Sequence, residues 1–335
     1  MHCTLTSSIV FFLLSLIYGS AFAGNAQGLK TFSPGILIAL RMLFGAIVCT
    51  IIFIIRSMTQ TNYWNISKSQ FSMGYKKIFW VIIAGLCFHG VPHCMIAISQ
   101  QWVSSAAVQI AQPLSSTAGM IFSHFLLDDE KFDKQKLITI IMAFSGVGLT
   151  SIPSFNNAQN NTGQVAIGYI LLIIAVSFFG VSPVILKWGV SSIDITVCAV
   201  IQTWASFIVS FLWSLVYDGP SKVKTQAFNS PMSAYMWPAL VGTFATGIAS
   251  HGFVYLISII GANGANFITF GQILVGVILG VSLLGEWSKY KTWETAISIV
   301  GILLIIVAIA FGFYNPETEH HEEEEFDDNP NIDEL

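Results

Sequence analysis

The sequence predicts an all-α polytopic membrane protein with ten transmembrane helices, arranged as two inverted five-helix repeats. Three observations predict it. Apolar residues make up 54% of the chain and charged residues only 10%, whereas a soluble protein keeps about a quarter of its residues charged to solvate its surface. Apolar stretches of roughly 20 residues, enough for a helix to cross the hydrocarbon, fill the chain almost end to end. One long pattern also occurs twice, which is how a duplicated fold shows in a sequence.

The pattern is clearest in residues 105–152 and 261–314. Each pairs two apolar spans around a short polar knuckle. Glu130 overlays Glu286, lysines follow each, and Gly146 and Gly301 then fall at nearly the same distance downstream. The predicted spans are 5–24, 34–55, 78–98, 103–127, 135–152, 165–187, 194–217, 234–259, 262–284 and 293–314. They lack strand alternation, so helices must satisfy their own backbone.

The first span has the look of a signal peptide, with an apolar run from Ile9 to Ile17 before Ala21-Phe22-Ala23. The repeat argues for keeping it. Gly19-Ser20 is echoed at Gly180–Ser182, and at the same spacing Arg41 of span two falls on Gln202 of span seven. Each half then needs five spans, and an odd number forces the halves to insert with opposite orientation. The loops after spans two and four carry Arg56, Lys68, Lys76, Lys77, Lys131, Lys134 and Lys136, while those after spans three and five carry none. The positive-inside rule then puts the N-terminus in the cytoplasm, and an even span count puts the C-terminus there too. The second half votes less evenly, with Lys222, Lys224, Lys289 and Lys291 outside and Lys187 inside.

This gives a first repeat over 1–152, a polar linker over 153–164, a second repeat over 165–314 and an acidic tail over 315–335. The tail reads as a solvated, disordered segment. Its closing Ile332-Asp333-Glu334-Leu335 lacks the opening lysine of a lumenal retention signal. Of the sequons at Asn65 and Asn160, only the second would face outside. Of Cys3, Cys49, Cys87, Cys94 and Cys198, four lie inside spans, where a free thiol behaves as a small hydrophobe.

The candidate functional residues are the polar ones inside spans, because an ionisable group there is expensive and usually faces a cavity or a partner. Arg41 either faces a cavity, where its planar fork would hold a carboxylate or phosphate, or snorkels to the headgroups. In span three, His89 and His93 share a helical face and Pro92 can free a carbonyl. His251 of span eight falls near the place equivalent to His93. These histidines either contact substrate or protons, or hydrogen-bond between helices. Cys87, Cys94 and the histidines lack strong metal-site spacing, so no metal is assigned. Gln109, Asn263 and Asn266 suit helix–helix contacts, while Gln112, beside Pro113, and Gln272 suit a cavity. Glu130 and Glu286 serve as helix-end anchors or as gates partnered by Lys134 or Lys289. No carboxylate lies deep in a span, so histidine is the only side chain with a suitable pKa should protons drive transport.

Several marks together carry a family resemblance over residues 5–314. They are Tyr18-Gly19-Ser20, Pro34 with Arg41, Gln112-Pro113-Leu114, Leu127-Asp128-Asp129-Glu130 and Leu283-Leu284-Gly285-Glu286. In their order and spacing the chain resembles the EamA-like ten-span branch of the drug/metabolite transporter superfamily. It departs from that pattern at Thr269, where the family often has proline, and in Asp-Asp-Glu for Leu-Gly-Glu. The resemblance implies secondary active or exchange transport of small metabolites.

The expected function is therefore a secondary transporter of a small polar organic metabolite, an amino acid or an anionic compound, working by alternating access. Arg41, His93, Gln112, His251 and Gln272 would bind substrate, and Glu130, Glu286 and Pro113 would gate or anchor helix ends. The alternative is a non-transporting scaffold or receptor that binds a partner through its acidic tail. No enzyme motif, nucleotide fingerprint or cofactor site is visible. The expected partners are a small-molecule substrate, the lipid bilayer and, as an open alternative, a second copy in a homodimer, with no nucleic acid.

Overall fold

A computed structural model describes residues 5–72, 74–126, 134–157, 161–190, 193–253, 255–256 and 268–313. Glu130, Asn160, Asn263, Asn266 and the acidic tail lie outside them. Regular structure among the described residues is helical. In chain order it comprises α1 (Leu5–Gly28), α2 (Pro34–Thr59), α3 (Tyr63–Phe71), α4 (Tyr75–Gly85), a π turn (Leu86–Gly90), α5 (Val91–Ser99), α6 (Ser105–Ala111), α7 (Leu114–Leu126), α8 (Lys134–Asn156), α9 (Thr162–Gly189), α10 (Ile195–Tyr217) and α11 (Pro220–Asn229). A 3₁₀ turn (Met232–Tyr235), α12 (Met236–Val241) and a second π turn (Gly242–Ile248) follow, then α13 (Ile268–Ser282) and α14 (Thr292–Phe313).

Six of the described helices are long and apolar enough to cross a bilayer: Ile9–Gly28, Pro34–Thr59, Tyr75–Ser99, Leu137–Asn156, Thr162–Leu186 and Ile195–Tyr217. Gly271–Ser282 and Thr292–Ala308 are shorter apolar helices. The chain is a multi-pass membrane protein.

Three predicted spans differ from single α-helices, span three by the π turn between α4 and α5. Span four breaks into α6 and α7 around Gln112-Pro113, because proline has no N–H to continue the ladder and its ring displaces the preceding turn. The break is bridged by tight bonds from Ser115 N to Gln112 O at 2.9 Å and from Ser116 N to Pro113 O at 3.1 Å. Span eight starts as 3₁₀ and α helix and then widens into a π turn. The loops after spans two and seven, expected to be plain connections, each carry a short helix, α3 and α11.

The packing is legible as an exchange. α1 packs on α13, and α9 packs on α7. α2 packs on the second π turn, and α10 packs on the first. α2 and α10 pack on each other, as do α8 and α14. Swapping first-half elements for their second-half counterparts leaves this set of contacts unchanged.

The same exchange holds at single residues. At the start of α2, Asp218 from the end of α10 accepts from Ile36 N at 2.9 Å, and Gln226 of α11 accepts from Ser33 N, also at 2.9 Å. At the start of α10, Asp194 pairs with Arg56 from the end of α2 at 3.6 Å, and Gln70 of α3 accepts from Asp194 N at 2.7 Å. The two helices are therefore antiparallel, and each is tied at its N-terminus by the other half. Both short helices enter through left-handed residues, Asn62 (φ 64°) before α3 and Gly219 (φ 87°) before α11.

Between α8 and α14 the backbones almost touch. A Cβ on Gly146 would lie 2.7 Å from Gly301 O, and one on Gly301 would lie 2.6 Å from Gly146 O. In lipid there is no hydrophobic drive between helices, so close approach through small residues supplies the packing.

Candidate functional site

Arg41 stands two turns into α2, which starts on Pro34 as a first helical residue should. Only 2% of it is exposed, so it does not reach for the headgroups. Two glycines bring α2 against the second π turn. A Cβ on Gly242 would lie 2.4 Å from Arg41 O, and one on Gly45 would lie 2.6 Å from Thr246 Cγ2. That approach lets Arg41 Nε donate to Thr246 Oγ1 at 3.1 Å. Arg41 NH1 is buried and makes no hydrogen bond.

The acidic side chains among the described residues all stand at helix ends. Asp194 caps α10, Asp218 caps α2, Glu286 caps α6 and Glu294 caps α14. The one ion pair among the described residues joins Arg56 to Asp194. Among the described residues, the Arg41 charge is therefore buried without a carboxylate beside it. An isolated buried charge costs several kcal/mol.

Around Arg41 the other polar groups are donors or weak acceptors. Tyr18, His89 and His93 lie within its electrostatic reach. Tyr18 Oη and His93 Nδ1 are buried and, like Arg41 NH1, unpartnered. Aromatic rings link these groups into a circuit. Tyr18 meets Phe253 edge-on at 6.3 Å, and Phe253 stacks on Phe88 at 5.9 Å. Phe88 meets Phe179 at 5.8 Å, Phe179 meets His93 at 5.2 Å, and His93 stacks on Phe22 at 6.4 Å. Phe22 is one turn from Tyr18 on α1, which closes the circuit. Tyr18, Phe88, Phe179 and Phe253 are partly exposed.

The π turns position these residues. The first carries Phe88 and His89, and the second carries Thr246. A π turn widens the helix by one residue and frees carbonyls, and such bulges concentrate at functional sites. Here Ser182 Oγ donates to Ala84 O at 2.8 Å and Ser206 Oγ to Gly85 O at 3.1 Å, satisfying carbonyls where the first turn begins. Arg41 and Gln202 take equivalent places against them: a Cβ on Gly85 would meet Gln202 at 2.6 Å, as one on Gly242 would meet Arg41.

The structure brings together Arg41 and His93, but not His251. The His251 ring takes Gly247 O at 3.0 Å, and its electrostatic neighbours are Arg56 and Asp194. Thr246 is the residue of this segment that faces Arg41. Five residues later a helix has turned by about 140° and risen about 7.5 Å, which carries His251 away.

Gln112 sits at the α6–α7 break, buried, with Nε2 unpartnered, and Ser116 Oγ one turn on is likewise buried and unpartnered. Gln109 bridges helices: its Nε2 donates to Gly19 O at 2.7 Å and to Tyr18 O at 2.9 Å. Gln272 is half-buried on α13, with its backbone carbonyl 3.1 Å from where a Cβ on Gly19 would stand.

Glu286 caps the first-half helix α6. It accepts from Ser105 N at 2.8 Å, Ser105 Oγ at 2.6 Å and Ala106 N at 2.9 Å. Lys289 is not its partner in these bonds. Gly285, left-handed at φ 63°, closes α13 with Glu286 N donating to Gly280 O at 3.1 Å. A left-handed residue at a helix end favours glycine, which has no Cβ to clash. The Leu-Leu-Gly-Glu mark thus terminates one helix and caps another.

Sequence reasoning passed over Tyr18, Phe88, Phe179, Phe253 and Thr246 as site residues. Two signals were present. Tyr18 and Phe179 share the spacing that aligns Arg41 with Gln202, and the glycine pairs Gly85/Gly90 and Gly242/Gly247 recur at one spacing around both π turns. The Cys/His group of span three disperses: His93 joins the rings, and Cys94 Sγ donates to Ser210 Oγ at 3.7 Å.

A model of the EamA-like transporter family matches residues 5–152 and 166–311. A solved structure titled "Crystal structure of protein" resembles this chain with a TM-score of 0.57, over 92% of this chain and 98% of that one, at 15% identity. At that identity the likeness is one of fold. No curated protein matches the chain.

Proposed function

The chain belongs to the EamA-like transporter family, and from that premise we propose that it is a secondary transporter of a small polar organic metabolite, an amino acid or an anionic compound. The ten spans form two inverted repeats, 1–152 and 165–314, joined by a polar linker. α6 with α7 counts as one span, as does the run from Met232 onward. Both termini lie on the cytoplasmic side.

One observation carries the reading: Arg41 is buried with a free NH1 and, among the described residues, no carboxylate beside it, near aromatic rings drawn from both halves. A permanent internal counter-ion would make that arginine a structural strut. An arginine with no such counter-ion among the described residues suits a ligand that comes and goes. His93, Gln112 and Gln272 line the same region around α1, and His251 lines the route toward Arg56. Glu286 holds a helix end, and Glu130 is its counterpart in the sequence repeat. The Gln112-Pro113 break gives α6 and α7 freedom to tilt against each other while the halves rock around the site.

The test is flux in proteoliposomes. Arg41→Ala is expected to abolish uptake or counterflow while the purified variant keeps its elution profile and melting transition. A well-folded Arg41→Ala protein with unchanged flux would remove Arg41 from the mechanism.

A further inference from the structure

We infer that the Arg41 site selects an organic monocarboxylate with a flat, apolar body, and that it disfavours zwitterions and dianions. This rests on the transport reading for its purpose, though not for its chemistry. The chemistry comes from counting what the site can pair.

The site offers one fixed positive charge. Arg41 Nε is already held by Thr246, which fixes the guanidinium plane. NH1 is left over on the terminal edge, and an arginine fork matches a carboxylate in its own plane. Tyr18 Oη, buried beside the Ser250 hydroxyl but making no hydrogen bond of full geometry, is a second donor within reach of the same charge. One carboxylate has enough lone pairs to accept from both.

A monoanion bound here leaves the pair neutral overall. An amino acid would bring an ammonium group into a region where no described residue supplies a carboxylate. A dianion would leave one negative charge uncompensated. Either excess charge is costly where water is scarce. The neighbouring groups are rings: Phe22, Phe88, Phe179 and Phe253 link Tyr18 to His93, edge-on or stacked at 5.8 to 6.4 Å from their neighbours. Such faces favour a flat apolar body, with edge-to-face contact adding to its burial.

The experiment uses the full purified chain and five probes of matched shape: 3-phenylpropionate, phenylalanine, 3-phenylpropylamine, phenylsuccinate and propionate. Binding is read by thermal shift and by isothermal titration. The expected order puts 3-phenylpropionate first, with the zwitterion, cation, dianion and ring-less acid each at least about tenfold weaker. Arg41→Gln is expected to remove the response to 3-phenylpropionate, and Tyr18→Phe, which keeps the ring, to weaken it several-fold.

Equal or tighter binding of phenylalanine overturns the inference. So does an unchanged response in Arg41→Gln, or no response to any probe. Flux is measured separately: 3-phenylpropionate bound but not moved sinks the carrier reading and leaves the ligand class standing, whereas a zwitterion moved in preference does the reverse.

Discussion

Arg41 and Glu286 are both charged and both interact with the opposite half, but they do different work. Glu286 is fully engaged, with three hydrogen bonds into the first turn of α6, where a negative charge also complements the helix dipole. Glu286→Gln is expected to lower stability by about 2 kcal/mol, since bonds to a charged acceptor are worth roughly that, and to depress the melting temperature measurably. Arg41 is under-engaged, so its removal should harm function more than folding. Arg41→Lys should not rescue transport, because a compact ammonium cannot reproduce a planar fork already clamped through Nε. Rescue by lysine would show that charge alone suffices. The sequence made Arg41 conspicuous, since a cation in an apolar run stands out. It could not separate burial from snorkelling, because that choice is decided by Gly242 and Gly45 on either side of the α2 contact.

The helices are held at their ends by polar caps and along their lengths by glycine. Gln70 and Gln226 play the same part on opposite halves, each accepting from the first backbone N–H of the other half's helix. Gln70→Ala and Gln226→Ala are each expected to cost about 1 kcal/mol, the usual worth of a cap, and by similar amounts in thermal melts. A large loss in one and none in the other would break the equivalence. Along α9, a Cβ on Gly180 would stand 1.9 Å from Ser115 O. Gly180→Ala must therefore push α7 from α9 and is expected to cost about 3 kcal/mol or more. Gly148 has nothing within 4 Å, so Gly148→Ala serves as the neutral control.

Helix existence was legible from apolar length, and so were the proline break at Pro113 and the echo of Arg41 in Gln202. The π turns were not, because one inserted residue changes no composition and only slightly alters the period. α3 and α11 were missed for another reason: nine or ten mixed residues read as loop, and only their docking under α2 and α10 makes them helices.

At the scale of the molecule, exchanging the halves preserves the packing while the chemistry at the centre departs from it. Arg41 is answered by Gln202, and Tyr18 by Phe179. Under the proposed carrier reading, the scaffold has two equivalent ways to lean around one charged residue. That is the arrangement a carrier needs: near-degenerate outward and inward states with a single ligand position. The repeat was visible in the sequence because glycines and end-cap glutamates recur at fixed spacing. The placing of His251 was not, because an equivalence off by one residue turns a side chain through about 100° of helix.

The most direct measurement of this account is site access from the two faces. Thr246→Cys, in a chain whose five native cysteines are replaced, puts a thiol beside Arg41. In oriented proteoliposomes a membrane-impermeant thiol reagent is added to one face and then, separately, to the other. Labelling from both faces, slowed by a bound 3-phenylpropionate in each case, is the expected result. Labelling from one face only, or from neither in a well-folded protein, would contradict a shared site that opens alternately to each side.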